Sequence, residues 1–227
     1  MDMSRIFTLL FVLLFAGSTS AQELTQVNFS GGGILHSFAF TTDQQIIIKI
    51  SEDGKVLEWG TEWESWRYNY QPGKLLPYMG RVSYYGLEGD SSWKGKVKSV
   101  GTTVFTYYLP SEAASNAGKL RSIGNITLDY YSNFDNTSFT GKLKSAGNNL
   151  FAYYSSYENL AFKGKLKSVN TLALVYYSTF DDKAFQGKIK SIGSVNFTWY
   201  PSYETRYAGM KSGQVLNKIN GINFIVL

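Results

Sequence analysis

The chain has no cysteine and a single histidine, His36, in 227 residues. These absences exclude disulfide frameworks, thiolate metal sites, cysteine nucleophiles and any multi-histidine site, and a serine triad would have to use His36. No metal or cofactor is implied. Charge is also scarce at 17%, whereas hydrophobic residues make up 44% and aromatics 16%, so a disordered, highly charged chain is excluded. Beyond residue 21 no stretch is long or apolar enough for a membrane-spanning helix, so none is expected in the mature protein.

What is present begins with an address. Met1–Ala21 combines Arg5, the apolar stretch Ile6–Ala16 and the small residues Gly17 to Ala21. This reads as a secretory signal peptide cleaved after Ala21, which places the mature chain in the periplasm, at the outer-membrane surface or outside the cell.

Self-similarity dominates the rest. G-K-[VLI]-[KR]-S starts at Gly95, Gly118, Gly141, Gly164 and Gly187, each 23 residues after the last. A paired aromatic keeps the same step from Tyr84-Tyr85 to Trp199-Tyr200, and a degraded copy follows at Gly209. Such a period is the mark of a repeat architecture. The organisation expected is a signal peptide at 1–21, an aromatic β region at 22–83 capping the sheet, tandem hairpins at 84–213 and a C-terminal strand at 214–227.

Within one copy, alternation argues for strands. A two-residue turn at Asp135-Asn136 sets Leu128 opposite Leu143 and Tyr130 opposite Gly141, and a three-residue loop from Gly124 to Ile126 sets Leu120 opposite Tyr130. One face then carries Leu120, Leu128, Tyr130, Phe134, Phe139 and Leu143, and the other Lys119, Arg121, Thr127, Asp129 and Tyr131. The repeat glycine is read either as lying under the first aromatic or as marking a bulge. A finer alternation, Phe105, Leu128, Phe151, Leu174, Phe197 and Phe134-Asp135, Tyr157-Glu158, Phe180-Asp181, Tyr203-Glu204, gives a unit near 46 residues.

Each repeat also places two cations on the polar face: Lys96 and Lys98, Lys119 and Arg121, Lys142 and Lys144, Lys165 and Lys167, Lys188 and Lys190. Stacked about 4.8 Å apart in a parallel solenoid they would repel by about 0.9 kcal/mol per pair even in water, whereas an antiparallel meander holds them about 9.6 Å apart and largely screened. The meander is preferred. Residues 22–93 hold five Lys or Arg against nine Asp or Glu, and residues 94–211 hold 15 against seven, so the repeats form a basic surface.

These columns have two readings. In one, the lysines with Tyr108, Tyr131, Tyr154 and Tyr177 contact an anionic polysaccharide or a cell-surface glycan. In the other, lysines on exposed strands keep the sheet soluble and the tyrosines pack under their stems. Nucleic acid is not expected of an exported chain with no recognition motif. Trp59, Trp63 and Trp66 form a dense aromatic cluster that reads as a sugar platform or a cap. Short strands are expected at Ile34–Phe40, Gln45–Ile50, Val56–Trp59 and Trp63–Tyr70.

The G-K-[VLI]-[KR]-S-[IVA]-G run followed by Tyr-Tyr, as in Gly118–Gly124 and Tyr130-Tyr131, resembles tandem repeats of secreted bacterial proteins without an assigned function. It is also loosely similar to the YD repeats of Rhs and teneurin shells, echoed by Tyr130-Tyr131 and Gly141-Lys142-Leu143. The likeness spans residues 84–212 and implies a continuous hairpin sheet rather than a function.

The expectation is an all-β protein: an antiparallel meander of tandem hairpins, curled or folded over into a sandwich or barrel-like sheet. Its expected role is non-catalytic, structural or binding, at the cell envelope. The rivals are an outer-membrane β-barrel with strands of about ten residues, and a glycosidase built on Glu58, Glu62 and Glu64. Exposed sheet edges leave assembly open.

Overall fold

A computed structural model describes residues 22–227 except 65, 67, 88, 89, 205, 207 and 208; residues 1–21, read above as a signal peptide, lie outside the described residues. Among the described residues the protein is all-β, apart from one short 3-10 turn at Ser91–Trp93. A first sheet holds β1 (Glu23–Ser30), β2 (Ile34–Thr41), β3 (Ile47–Ile50), β4 (Val56–Glu62) and β5 (Leu75–Pro77). It is completed by the last two strands of the chain, β19 (Leu216–Ile219) and β20 (Ile222–Val226), in the order β19-β20-β1-β2-β3-β4-β5. Every neighbouring pair is antiparallel except β1 and β20, which run parallel from Gln26 opposite Asn223 to Phe29 opposite Val226.

The second sheet follows chain order without a crossover. It contains β6 (Val82–Tyr84), β7 (Val97–Val100), β8 (Thr103–Tyr107), β9 (Leu120–Ile123), β10 (Ile126–Tyr130) and β11 (Leu143–Ala146). It continues through β12 (Asn149–Tyr153), β13 (Leu166–Val169), β14 (Leu172–Tyr176), β15 (Ile189–Ile192) and β16 (Val195–Asn196). A last ribbon pairs β17 (Thr198–Trp199) with β18 (Met210–Ser212). The repeat sheet stays open, with β6 and β16 at opposite ends, so no barrel closes. Its strands of two to five residues also fall well short of the roughly 9–11 that a membrane barrel needs.

The two sheets share one apolar core. The first contributes Val27, Phe29, Phe38, Phe40, Ile48 and Ile50, and the second the column Phe105, Leu128, Phe151, Leu174 and Phe197, all buried. Phe38 meets Phe151 with ring centroids 4.4 Å apart. The residues before the array therefore lie across its apolar face and supply the second layer that a one-sided sheet requires. Turns of the first sheet bond directly to the repeats: Leu143 N–H donates to Glu52 O at 2.7 Å and Ile189 N–H to Gly32 O at 2.8 Å.

The register within a repeat differs from the expected one. Ile123 faces Ile126 across a two-residue turn at Gly124-Asn125, Leu128 faces Ala146, and Tyr130 faces Leu143. Between Tyr130 and Asp129 the ladder slips by one residue, because Lys144 bulges out of β11. The bulge reverses the alternation inside a four-residue strand, so Leu143 and Ala146, three apart, both point inward. The same slip recurs where β6, β8, β12 and β14 meet the strand that follows each of them. Asp135-Asn136 is not a hairpin turn. Residues 131–142 form a loop closed by paired bonds between Tyr131 N–H and Lys142 O and between Gly141 N–H and Tyr131 O. Gly141 takes a left-handed φ of 75° as the loop re-enters the sheet; it neither faces Tyr130 nor forms the bulge. The expected inner face keeps Leu120, Leu128, Tyr130 and Leu143, gains Ile123, Ile126 and Ala146, and loses Phe134 to solvent.

In the first sheet, Glu23–Ser30 forms a strand that the pattern did not announce. Trp63–Tyr70 shows no strand among its described residues, and Asn69 there has a φ of 61°, incompatible with extended chain.

Candidate functional site

The array brings its two cation columns to different places. The first lysine of each copy is half-buried at the end of its loop and reaches the next copy. Lys96, Lys142 and Lys165 donate to the carbonyls of Gly118, Gly164 and Gly187 at 2.5, 2.7 and 2.6 Å, and Lys119 donates to that of Gly141. Each ammonium also sits over an aromatic ring: Lys96 over Tyr107, Lys119 over Tyr130, Lys142 over Tyr153, Lys165 over Tyr176 and Lys188 over Trp199, at 4.8 to 5.4 Å. Desolvation lowers the pKa of Lys96, Lys119 and Lys165. Lys142 is further held by Glu52 at 2.9 Å, and Lys165 by Gly33 O at 3.2 Å. This column clasps neighbouring repeats together.

Tyrosine hydroxyls are used in the same way. Tyr107, Tyr130 and Tyr176 donate to the carbonyls ten residues earlier, as Trp199 does through its indole N–H. Tyr85, Tyr108, Tyr131, Tyr154 and Tyr177 donate to the carbonyls twenty residues later, at 2.7 to 3.0 Å. Both side chains of the Tyr107-Tyr108, Tyr130-Tyr131 and Tyr176-Tyr177 pairs are thus bonded to the sheet, whereas of Tyr153-Tyr154 only Tyr154 is, the Tyr153 hydroxyl being buried without a partner.

The second cation is different. Lys98, Arg121, Lys144, Lys167 and Lys190 occupy the bulges, are exposed, and lie over the rings of Tyr85, Tyr108, Tyr131, Tyr154 and Tyr177 at 5.1 to 5.7 Å. Lys211 over Tyr200 at 5.4 Å extends the row. The 46-residue alternation now acquires a reason. Glutamate reaches the bulged cation, giving Glu112 with Arg121, Glu158 with Lys167 and Glu204 with Lys211. Glu112 and Glu158 also accept from the N–H three residues earlier, but aspartate, one methylene shorter, stops there: Asp135 and Asp181 accept from the hydroxyl and the N–H of Ser132 and Ser178, which lowers both carboxyl pKa values. Among the described residues Lys144 and Lys190 therefore form no ion pair.

The tryptophans do not assemble into one platform. Trp59 lies opposite Ile48 and packs on the central core, whereas Trp63 carries Lys74 over its ring at 4.5 Å and Trp66 stands in solvent. Nor do the three glutamates converge. Glu58 is held by buried Lys49 at 2.8 Å, while Glu62 and Glu64 line an open cavity of about 670 Å³. His36 lines another cavity, of about 460 Å³, with Lys49 and Tyr70. Among the described residues no three His, Cys, Asp or Glu side chains are grouped as a metal would need.

One set of residues was misplaced by the pattern. Phe134, Tyr157, Phe180 and Tyr203 project from successive loops with 101%, 92%, 94% and 78% of their surface exposed. Their signal was present as an aromatic followed by an acid every 23 residues, but the period-2 reading carried past the bulge and turned Phe134 inward. The loops that bear them are tied side by side. Asn136 Nδ2 donates to Ser156 Oγ at 3.0 Å, Asn159 Nδ2 to Thr179 Oγ1 at 2.9 Å, and Ser202 Oγ to Asp182 Oδ2 at 2.9 Å. With this geometry in hand, comparison with known proteins places the chain beside nothing: no family model, no curated protein and no solved structure matches it.

Proposed function

We propose that this is an exported, non-catalytic repeat protein of the cell envelope or cell surface that binds an extended anionic polysaccharide along its array. The observation that carries the reading is the row of six bulged cations, one per copy. Each rests on a tyrosine ring, and the five rings from Tyr85 to Tyr177 are themselves hydrogen-bonded to the sheet. A row with a pitch of about 9.6 Å, already ordered before any ligand arrives, loses little side-chain entropy on meeting a polymer of regularly spaced carboxylates or sulfates. Many weak contacts then add along the chain, and their strength falls with salt. The separation of Glu58 from Glu62 and Glu64 favours binding over hydrolysis.

Affinity electrophoresis through gels containing polygalacturonate tests the reading. The protein should be retarded at low salt and released as salt rises, and Lys144→Gln with Lys190→Gln should weaken retardation by about tenfold. Lys142 and Lys165 are unsuitable for this purpose because they hold the fold. Retardation that is absent, or indifferent to the double substitution, would sink the proposal.

A further inference from the structure

We infer that the loop edge of the array is a stacking rail for a β-1,4-linked polysaccharide ribbon, with Phe134, Tyr157, Phe180 and Tyr203 each taking one sugar face in every two. This rests on the polysaccharide reading above and adds the geometry of the ligand. Four rings occupy the same place in four successive loops, almost wholly bare, at a pitch of about two strand spacings, or 9.6 Å. Scattered exposed apolar residues need no explanation, but a periodic row on a fixed frame does.

The four loops that bear the rings are hydrogen-bonded one to the next. Phe134 N–H donates to Ser132 Oγ at 3.3 Å and Phe180 N–H to Ser178 Oγ at 3.2 Å, within loops whose neighbours are bonded through Asn136, Asn159 and Asp182. Between the rings lie amides and hydroxyls rather than more apolar surface. A protein partner would want a contiguous apolar patch. A sugar suits both features, since its C–H face stacks on an aromatic ring and its hydroxyls pair with amides and hydroxyls. Successive sugars in a β-1,4 chain are turned over, so alternate rings show the same face in a straight line. That repeat of two sugars matches one aromatic per two strands, whereas an α-1,4-linked galacturonate chain, joined through two axial bonds, is buckled and offers the row no flat succession of sugar faces.

Two polymers with one carboxylate per sugar separate this inference from the charge reading: poly-β-1,4-mannuronate and poly-α-1,4-galacturonate. Isothermal titration calorimetry on the protein should show mannuronate bound about tenfold more tightly. Replacing all four rings with alanine should abolish that preference and leave galacturonate affinity unchanged. The rings are bare, so circular dichroism of the variant should match the parent. Equal affinities in the parent, or a preference that survives the four substitutions, would overturn the rail while the charge reading stands. Binding to neither polymer would remove both.

Discussion

Tyrosine is the residue that joins one copy to the next, and its hydroxyl sets the protein's limit in alkali. Tyr130, Tyr153 and Tyr176 are buried, and desolvation pushes each hydroxyl far above its ordinary pKa. The folded protein keeps these protons at a pH where the unfolded chain, titrating near 10, has lost them. The stability they contribute is therefore intact below pH 10 and falls above it, by up to about 1.4 kcal/mol per pH unit for each hydroxyl. Lys96, Lys119 and Lys165 act in the opposite sense. Their folded pKa values are lowered, so the unfolded chain binds more protons between those values and 10.5, and stability gains with pH in that window. Those ammoniums are less buried than the tyrosines, so the tyrosines prevail above pH 10. Urea midpoints should fall steeply from pH 10 to pH 11, and the tyrosine absorbance should show a subset that ionises only as the protein unfolds. Tyrosines that all titrate near 10 in the folded state would contradict the burial.

At the scale of the element, the hairpin was legible and its details were not. Period-2 alternation at Leu128 and Tyr130 identified the strands and their inner face, and the 23-residue step placed each copy. What defeated the register was one residue. Lys144 and its equivalents bulge, and a bulge has no signature in an apolar-polar pattern because it looks like an ordinary polar position. The cost of the repeat glycine can be read from its surroundings. Gly118 and Gly187 share a left-handed φ, 71° and 73°, so alanine at either is strained by about 1 kcal/mol or somewhat more. A Cβ on Gly118 would meet nothing nearer than the flexible end of Lys96 at 3.5 Å, but on Gly187 it would lie 2.4 Å from the carbonyl oxygen of Ala161. Gly187→Ala should therefore cost well over twice as much as Gly118→Ala in equilibrium urea unfolding. Equal losses would mean that the loops do not touch there.

For the whole molecule, the question is whether the array stands alone. A sheet whose inner face carries Phe105, Leu128, Phe151, Leu174 and Phe197 must cover that face, and the first sheet does so. The sequence shows the array and the aromatic region before it. It does not show that the last strand runs back to lie parallel beside β1, because pairing across nearly two hundred residues leaves no periodic trace. That closure makes the chain ends interdependent. Ile222, Phe224 and Val226 are buried in the common core, and burying three such side chains is worth about 5 to 9 kcal/mol, comparable with the roughly 5–15 kcal/mol of a whole domain. Deleting residues 214–227 also strips β1 of a neighbour and leaves its edge open. The truncated protein should lose its single sharp urea transition and the near-ultraviolet circular dichroism of packed aromatics, even though every repeat remains. If it instead unfolds at the parental midpoint, the array is self-sufficient and the first sheet is an independent layer. Refolding of the intact chain should be slow for the same reason, since the β1 and β20 contact must wait for everything between them.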